Sequence, residues 1–526
     1  MRKANAKPAK NTSSAPAAYI SADERRAAGK ALRDATPRAA HGGWKPPKDR
    51  RDPIELLRES NEGRIPELIP IRFARMAQSP FAFYRGAAAV MAADLASTPA
   101  SGLRVQACGD AHLMNFGGFA TPERNIFFDI NDFDETLPAP WEWDVKRLAA
   151  SIVIAAHHIN LPNSEAAKAA TESVCSYRER MADYASMRAL DVWYDRIDLD
   201  RVLKVLPSGA EVDRVRQRVE QARRKSAPES LFPKLVEHFG SAPRIKDVPP
   251  LIFHPTAEQA PGVGTGYAEA LEGYRKSLPG HIRVLFDRFQ LFDLAIKVVG
   301  VGSVGTYCAL GLFIAADDDP IFLQVKEARK SVLEPYAGKS LHGNHGERVV
   351  AGQRLMQAAS DIFLGWTRGL IGRDYYYFRQ LRDAKISAIP EDWDLTMLME
   401  FGKLCAWALH GRMRDPVTPR GLQATWAPIR PSTTRCASLR SNTPTKTFAT
   451  IAPSSRRSAK VESRSRPRIE PSTTQTVQVV SDCRRDRPMP CRSSWRAILL
   501  SSTSNGEAPM TRSRCSRYRR TASTRS

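Results

Sequence analysis

Three oxygen-bearing side chains follow a short predicted strand and are spaced for phosphate chemistry. Asp110 and Asn115 lie five residues apart in Gly109-Asp-Ala-His-Leu-Met-Asn115, and Asp132 follows seventeen residues after Asn115. Phosphoryl transfer needs a carboxylate that orients the attacking hydroxyl and accepts its proton, together with hard oxygen ligands for Mg²⁺. We therefore predict Asp110 and His112 as catalytic residues, with Asn115 and Asp132 as magnesium ligands.

A purely structural interpretation of the same residues is also open. Asp and Asn are common turn and capping residues, and a single histidine often serves only to pack or hydrogen-bond a loop. The order of features favours function: a strand, the Gly109-to-Asn115 loop, a hairpin around Thr121, an acidic cluster at Asp129 to Glu135, and Trp143-Asp144 at the start of a helix.

A second motif, far downstream, has the glycine spacing of a phosphate-binding loop. Gly300, Gly302 and Gly305 form a GxGxxG pattern that follows a predicted strand. The same letters fit a Rossmann turn, but a Rossmann turn must open a helix, and Tyr307 to Phe313 reads as a strand. A glycine hairpin without function is the remaining alternative.

A nucleotide-gripping loop of the kinase type is accompanied by a lysine on the third strand. Lys326 stands twenty-one residues after Gly305 in such a strand. Glu334 or Glu347 would pair with it from a following helix, and the sequence does not choose between them. Arg85 and Arg147 are further candidates for binding phosphate or an acidic substrate, although each would serve equally as a structural ion-pair partner.

The quoted motifs carry a family resemblance. The Gly109-to-Asn115 run is similar to the Gly-Asp-x-His-x-x-Asn loop of aminoglycoside phosphotransferases and choline kinase-like enzymes, with Cys108 where they have histidine. Asp132 and Asp144 resemble their metal aspartate and later structural aspartate. More closely, residues 80–150 and 299–359 resemble a bacterial domain-of-unknown-function family, DUF2252, over about residues 50–410. That family is grouped with protein-kinase-like folds, and its label implies no substrate.

The elements that would position these residues suggest an α+β, two-lobed, protein-kinase-like fold. Kinases place the glycine loop before the catalytic loop, whereas Gly300 comes 185 residues after Asn115. Either the lobes are circularly permuted or one assignment is wrong, and permutation is physically tolerable because the site needs only convergence in space. The expected division has five parts: a disordered basic leader with one short helix near Asp23–Asp34 (1–50), a mainly helical catalytic-loop lobe (51–290), a β-rich glycine-loop lobe (291–390), a helix that returns to the larger lobe (391–410) and a disordered basic tail (411–526).

Charge is concentrated at the C-terminal end. Residues 411–526 hold 24 Lys and Arg against 6 Asp and Glu, whereas residues 1–410 hold 55 against 50. The pI of 9.9 therefore describes the tail, and nucleic acid is an improbable partner for the folded body. Body cysteines lack metal-like spacing, and no apolar stretch is long enough for a membrane span or signal peptide. We expect a cytoplasmic protein without a membrane partner.

The tail has two interpretations. It is rich in Ser, Thr and Arg without apolar periodicity, which is typical of a disordered basic region. If the gene uses GC-rich codons, translation one base out of frame from about residue 411 can instead give a different segment. In that segment acidic residues balance basic ones, and apolar residues recur at helical spacing. We favour out-of-frame translation; the nucleotide sequence around codon 411 tests it.

The combined prediction is a phosphotransferase that uses ATP and Mg²⁺ and acts on an unidentified acceptor. In this scheme Lys326 contacts the phosphates and the backbone of the glycine loop covers them. Two alternatives remain. One is a catalytically silent nucleotide-binding protein of the same fold, and the other is a nucleic-acid-binding protein that acts through its basic tail.

Overall fold

The computed structural model describes residues 21–226, 228–239, 242–256, 267–298, 300–316, 319–370, 373–381 and 384–409. The predictions for residues 1–20 and for the tail, including its frame, lie outside the described residues. The helices are α1 Ala22–Ala35, α2 Pro53–Glu59, α3 Ile69–Met76, α4 Pro80–Gly86, α5 Ala88–Ala96, α6 Trp141–His158, α7 Asn163–Ser186, α8 Ala189–Tyr194, α9 Leu199–Val205, α10 Gly209–Ser226, α11 Pro228–Leu235, α12 Tyr267–Ser277, α13 Gly280–Phe286, α14 Glu334–Ala337, α15 His345–Met356 and α16 Leu395–Leu409.

The strands pair antiparallel throughout, so the chain is a mixed α+β protein. They are β1 Arg104–Ala107, β2 Phe116–Ala120, β3 Ile126–Ile130, β4 Leu137–Pro140, β5 Val236–Phe239, β6 Ala242–Ile245, β7 Ile252–Phe253, β8 Gln290–Lys297, β9 Cys308–Ile314, β10 Pro320–Glu327, β11 Gly365–Leu370, β12 Arg373–Gln380 and β13 Ile386–Ser387. The main sheet has the order β11-β12-β10-β9-β8-β7.

A helical part forms around α6, most of whose residues are buried. Helix α7 packs against both α6 and α16, and the shared core includes Ile152, Tyr177 and Leu404. An apolar residue recurs at helical spacing along each helix, so each buries a stripe against its neighbours. Two short sheets, β1-β4 and β13-β2-β3, adjoin this part and carry the loops that contain Asp110 and Asp132.

The six-stranded sheet is covered on both faces. Strand β9 is buried along its whole length. Ala309 and Phe313 belong to the core shared with α12 and α13. Leu310 and Leu312, on the opposite face, pack in the core with α11, β5 and β6. Side chains alternate across a strand, and two-sided burial explains why β9 reads as a continuous apolar run.

The predicted division at residue 290 falls inside the packing of the sheet. Strand β7 pairs with β8, and α12 and α13 share the sheet's core although both precede residue 290. Conversely, β13 pairs with β2 of the helical part. A helix or a two-residue strand carries no sequence mark of the sheet it joins, so local pattern could not locate this division.

The leader, expected to be a disordered arm with one short helix near Asp23–Asp34, contains that helix as α1 and is structured from residue 21. Ser21 and Glu24 form a capping box at the start of α1. The box supplies hydrogen-bond acceptors to backbone N–H groups that have no partner within the helix. Further on, Arg50 Nε lies 2.6 Å from an Asp94 carboxylate oxygen, so this segment is anchored to α5. Over the described residues, no helix combines the length and apolarity needed to cross a membrane.

Candidate functional site

A cleft of about 720 Å³ collects side chains from the helical part and from the sheet. Its lining includes eight of the predicted site residues: Arg85, Asp110, His112, Asn115, Asp132, Gly300, Gly302 and Lys326. Gly305 and Glu334 are not part of the lining. Residues about 190 positions apart in the chain thus share one polar cavity.

The turn after β1 is held by a buried carboxylate. Asp144, in the first turn of α6, accepts hydrogen bonds from the backbone N–H groups of Cys108, at 2.7 Å, and Gly109, at 3.0 Å. Gly109 has φ +82°, and a Cβ there would clash with the carbonyl oxygen of Glu135. Burial raises the pKa of Asp144 to about 6, although its hydrogen bonds to Cys108 and Gly109 lower it. The turn therefore requires glycine and is fixed by Asp144.

Asp110 follows this turn and is oriented by Arg147. The Arg147 Nε donates to Asp110 Oδ1 at 2.7 Å, and a second nitrogen of the same guanidinium also donates to Oδ1. The guanidinium stacks over the Tyr84 ring, 4.5 Å from its centroid. Burial acts to lower the pKa of Arg147, but Asp110 raises it overall. Because both bonds end on Oδ1, Asp110 Oδ2 remains to accept a hydroxyl proton.

His112 is buried and uncharged at neutral pH. Its Nε2 lies 3.7 Å from Asp110 Oδ2, and its buried Nδ1 has no hydrogen-bond partner in the part of the chain that the structure describes. Burial lowers the pKa of His112 to about 4, and Arg147 and Arg85 add to this effect. The ring therefore adjoins Asp110 as a neutral group.

Asn115 ties the Asp110 loop to the acidic loop. Its Nδ2 donates to the backbone oxygens of Asp110, at 3.0 Å, and Asp132, at 3.1 Å. The backbone N–H of Asn131 also donates to the Asn115 carbonyl oxygen. Since the amide nitrogen is committed to two carbonyls, the Oδ1 of Asn115 is the atom that remains to ligate a metal.

Lys326 bridges the sheet and the acidic loop. Its Nζ lies 3.2 Å from an Asp132 carboxylate oxygen and 2.7 Å from Asp134 Oδ2. Asp134 also accepts hydrogen bonds from the Tyr377 hydroxyl, at 2.6 Å, and from Ser303 Oγ, at 3.2 Å. The Ser303 bond brings the glycine loop onto the same carboxylate.

The charges of this group stabilise each other. Burial acts to raise the pKa of Asp132, but Lys326, Arg379 and Lys385 lower it below its ordinary value. Burial acts to lower the pKa of Lys326, but Asp132 and Asp134 raise it above its ordinary range. Lys326 is only 2% exposed, and a charge so buried persists only when it is paired. Lys326 and Asp132 are therefore ionised at neutral pH.

The predicted glutamate partners of Lys326 are wrong. Glu334 is buried on α14, where one of its carboxylate oxygens lies 3.8 Å from His345 Nδ1. Glu347 lies 3.4 Å from His342 instead. Lys326 pairs with the aspartates of the acidic loop instead, because β10 faces that loop. No local sequence pattern predicts that these two segments meet.

The glycine loop joins the antiparallel strands β8 and β9 and contains a short 3₁₀ turn, Val301–Ser303. As expected, a strand, β9, follows the loop. A Rossmann turn is followed by a helix, so this strand excludes that interpretation. Gly300 and Gly302 line the cleft. Gly305 has φ +84° and its carbonyl accepts from the backbone N–H of Ile65 at 2.7 Å. Its role is to turn the chain, and the prediction that it covers phosphate is not supported.

The donor set suits Mg²⁺ in part. Asn115 and Asp132 are adjacent hard oxygen donors, and Mg²⁺ keeps several waters and uses few protein ligands beside phosphates. Over the described residues, no group of three or more His, Cys, Asp or Glu side chains forms a metal site complete in itself. Asn115 and Asp132 would therefore hold such a metal only together with other oxygen donors, such as those of a bound phosphate.

Sequence reasoning missed several residues of the site. Asp134 was in the quoted acidic cluster, and its position two residues after Asp132 was the available signal. Arg147 was predicted only as a candidate for binding phosphate or an acidic substrate, and not as the residue that orients Asp110. Arg64, Arg72 and Arg329 also line the cleft and gave no sequence signal, because single arginines are common on protein surfaces.

A comparison with protein families matches most of the chain. A family model described as "Uncharacterized protein conserved in bacteria (DUF2252)" matches residues 64–439. No curated protein and no solved structure matches the chain. The match spans every residue of the site described above.

Proposed function

This chain belongs to the DUF2252 family, and on that premise we propose that it is a Mg-ATP-dependent phosphotransferase of kinase-like fold. The proposal rests on the site, because the family description assigns no activity. The acceptor is a hydroxyl or a similar nucleophile, whose further chemistry is considered below.

One observation carries the proposal. Lys326 of β10 lies within ion-pair distance of Asp132, 194 positions away in sequence, in a cleft that also contains Asp110, Asn115 and Gly302. Kinase-type phosphoryl transfer uses a strand lysine, a metal-binding aspartate and asparagine, and a catalytic-loop aspartate around one triphosphate. Residues of all these types, together with Gly302 of the glycine loop, line this one cleft.

The roles of the residues follow from their contacts. Asp110, oriented by Arg147, accepts a hydrogen bond from the acceptor hydroxyl at Oδ2 and takes its proton. Lys326 supplies positive charge to the transferred phosphate, and the backbone at Gly300 and Gly302 covers it. A metal held by Asn115 and Asp132 would neutralise negative charge on the phosphates.

The order of the strands supports a permuted kinase arrangement. The glycine loop lies between β8 and β9, and Lys326 lies on the next strand of the sheet. This is the kinase order of glycine loop followed by the strand-3 lysine. The Asp110 loop precedes this unit in sequence, so we propose that the two functional halves are joined in reverse order.

Replacing Asp110 tests the proposal. Asp110→Asn keeps an oxygen for Arg147 but removes the base, so ATP consumption should fall at least about 100-fold while Mg-ATP binding persists. Consumption is measured by product release and binding by calorimetry on the full chain. The matched control is Asp287→Asn, an aspartate paired with Arg275 outside the cleft. Undiminished turnover in Asp110→Asn would refute the assignment.

A catalytically silent nucleotide-binding protein is the second candidate. It is favoured by the ion pair that ties Asp110 to Arg147 and by the two carboxylates that neutralise Lys326. Mg-ATP binding without consumption across many acceptors would establish it. A nucleic-acid-binding role would depend on the tail, and trimming the chain after His410 would abolish such binding.

A further inference from the structure

Four arginines line the cleft, and none of them lies within ion-pair distance of a carboxylate among the described residues. We call Arg64, Arg72, Arg85 and Arg329 the arginine cluster. Three precede or lie on the short helices α3 and α4, and Arg329 follows β10. Positive charges gathered around one cavity without ion-pair partners favour the binding of an anion there.

Backbone oxygens hold two of these side chains in place. Arg64 Nε donates to the carbonyl of Ser60 at 3.0 Å, and Arg329 Nη1 donates to the same carbonyl at 3.1 Å. Arg64 also donates to the Val304 carbonyl, at 2.5 Å, and Arg329 to that of Glu62. Carbonyls orient guanidinium groups but leave their net charge uncompensated.

The other two members each have a buried Nε. Arg72 is 2% exposed and donates to Asn61 Oδ1, at 2.6 Å, and to the Gly86 carbonyl, at 2.9 Å. Among the described residues, the buried Nε atoms of Arg72 and Arg85 have no hydrogen-bond partner. Unsatisfied buried donors in a polar cavity are a mark of a ligand site.

The charges repel one another. Burial lowers the pKa of Arg64 to about 9, and Arg72 and Arg329 add to this effect. Burial likewise lowers the pKa of Arg72 to about 10, with a contribution from Arg329. The carboxylates facing Arg64 are those of Glu135 and Glu327, which accept from the N–H groups of Val332 and Tyr307 instead.

We propose that the arginine cluster binds an anionic group, a phosphate or a carboxylate, of the acceptor whose hydroxyl Asp110 orients. This inference rests on the proposed function and names its substrate class. Guanidinium groups bind the oxygens of both anions through paired N–H donors, which makes arginine suited to either.

The cluster reaches from the Asp110 side of the cleft to the glycine loop. The carboxylates whose charge acts on Arg85 are Asp110 and Glu391, and Arg72 reaches the carbonyl of Gly86, next to Arg85. Arg64 contacts the glycine loop through the Val304 carbonyl. Lys326, by contrast, is paired with the acidic loop. The arginine cluster therefore places positive charge beside Asp110 that is separate from Lys326.

Calorimetry on the full chain tests the inference with two probes, inorganic phosphate and malonate. Each is titrated with and without saturating Mg²⁺ and a non-hydrolysable ATP analogue. We expect at least one probe to bind in both conditions. Arg329→Gln and Arg85→Gln should weaken it about 10-fold or more, while analogue affinity changes less than about twofold. Which probe binds distinguishes a phosphate-bearing from a carboxylate-bearing acceptor.

The matched control is Arg58→Gln, an exposed arginine on α2 that does not line the cleft, and it should bind like the parent chain. Arg329→Lys, which keeps the charge, should retain part of the affinity, and melting curves establish that each variant is folded. Failure of both probes, equal binding in the glutamine variants, or displacement of the probe by the analogue would overturn the inference. Probe binding without analogue binding would support the anion site and overturn the phosphotransferase assignment.

Discussion

At the scale of single residues, the polar groups of the cleft are set by burial and by their partners. Asp110 is held through one oxygen by Arg147, and Asn115 is held through its amide nitrogen. Each arrangement leaves one side-chain oxygen outside these bonds, Oδ2 of Asp110 and Oδ1 of Asn115. Isolated Asp and Asn side chains rotate freely, so these bonds are what convert common residue types into an ordered site.

His112 should impose a pH dependence on stability. Its pKa in the folded chain is about 4, below the ordinary 6.5, so the unfolded chain binds this proton more tightly. Stability should therefore be lost as pH falls from 6.5 to 4, by up to about 3 kcal/mol from this residue. Urea unfolding of the parent chain and His112→Gln across this range measures it. A stability difference that does not change with pH would contradict the prediction.

At the scale of elements, the turn between β1 and the Asp110 loop depends on one backbone conformation. Helix α6 supplies the carboxylate of Asp144 to the two N–H groups of the turn, so a helix start and a strand end fix each other. The Gly-Asp pair was visible in the sequence. The reason for its glycine, close approach to the backbone of Glu135, came only from the structure.

Gly109→Ala should destabilise the chain by at least about 2 kcal/mol, because it adds a backbone clash to an unfavourable positive φ. The control is Gly343→Ala, where an added Cβ meets no atom within 4 Å and φ is not positive. Denaturant unfolding of both variants gives the comparison. Equal stabilities of the two variants would show that the turn tolerates a side chain.

At the scale of the whole molecule, the ion pairs of Lys326 join the sheet to the acidic loop of the helical part. They connect residues more than 190 positions apart. Removing one partner of such a buried group leaves uncompensated charge, whereas exposed pairs contribute little.

Lys326→Met should destabilise the chain by about 3–5 kcal/mol, because Asp132 and Asp134 then lack their cation. In a double-mutant cycle with Asp134→Asn, the coupling energy should exceed about 1 kcal/mol. The exposed Arg224–Glu220 pair, 3.1 Å apart, is the control and should couple by less than about 0.5 kcal/mol. Additive effects at Lys326 and Asp134 would indicate that the contact does not stabilise the fold.

The sequence by itself determined the local elements and the types of residue available for chemistry. The strand before Asp110, the hairpin after it, the strand β9 after the glycine loop and the helix α16 follow from apolar periodicity and turn residues, which act over a few positions. Four candidate site residues were also predicted, because the residues of each motif lie close together in the sequence: Asp110, Asn115, Asp132 and Lys326.

Only the tertiary structure decided which residues meet. It paired Lys326 with Asp132 and Asp134 instead of Glu334, kept Gly305 out of the cleft, attached β7 and α12 to the sheet, and gathered four separate arginines around one cleft. These outcomes depend on contacts between distant segments, which arise from burial of whole surfaces and leave no periodic mark in the chain.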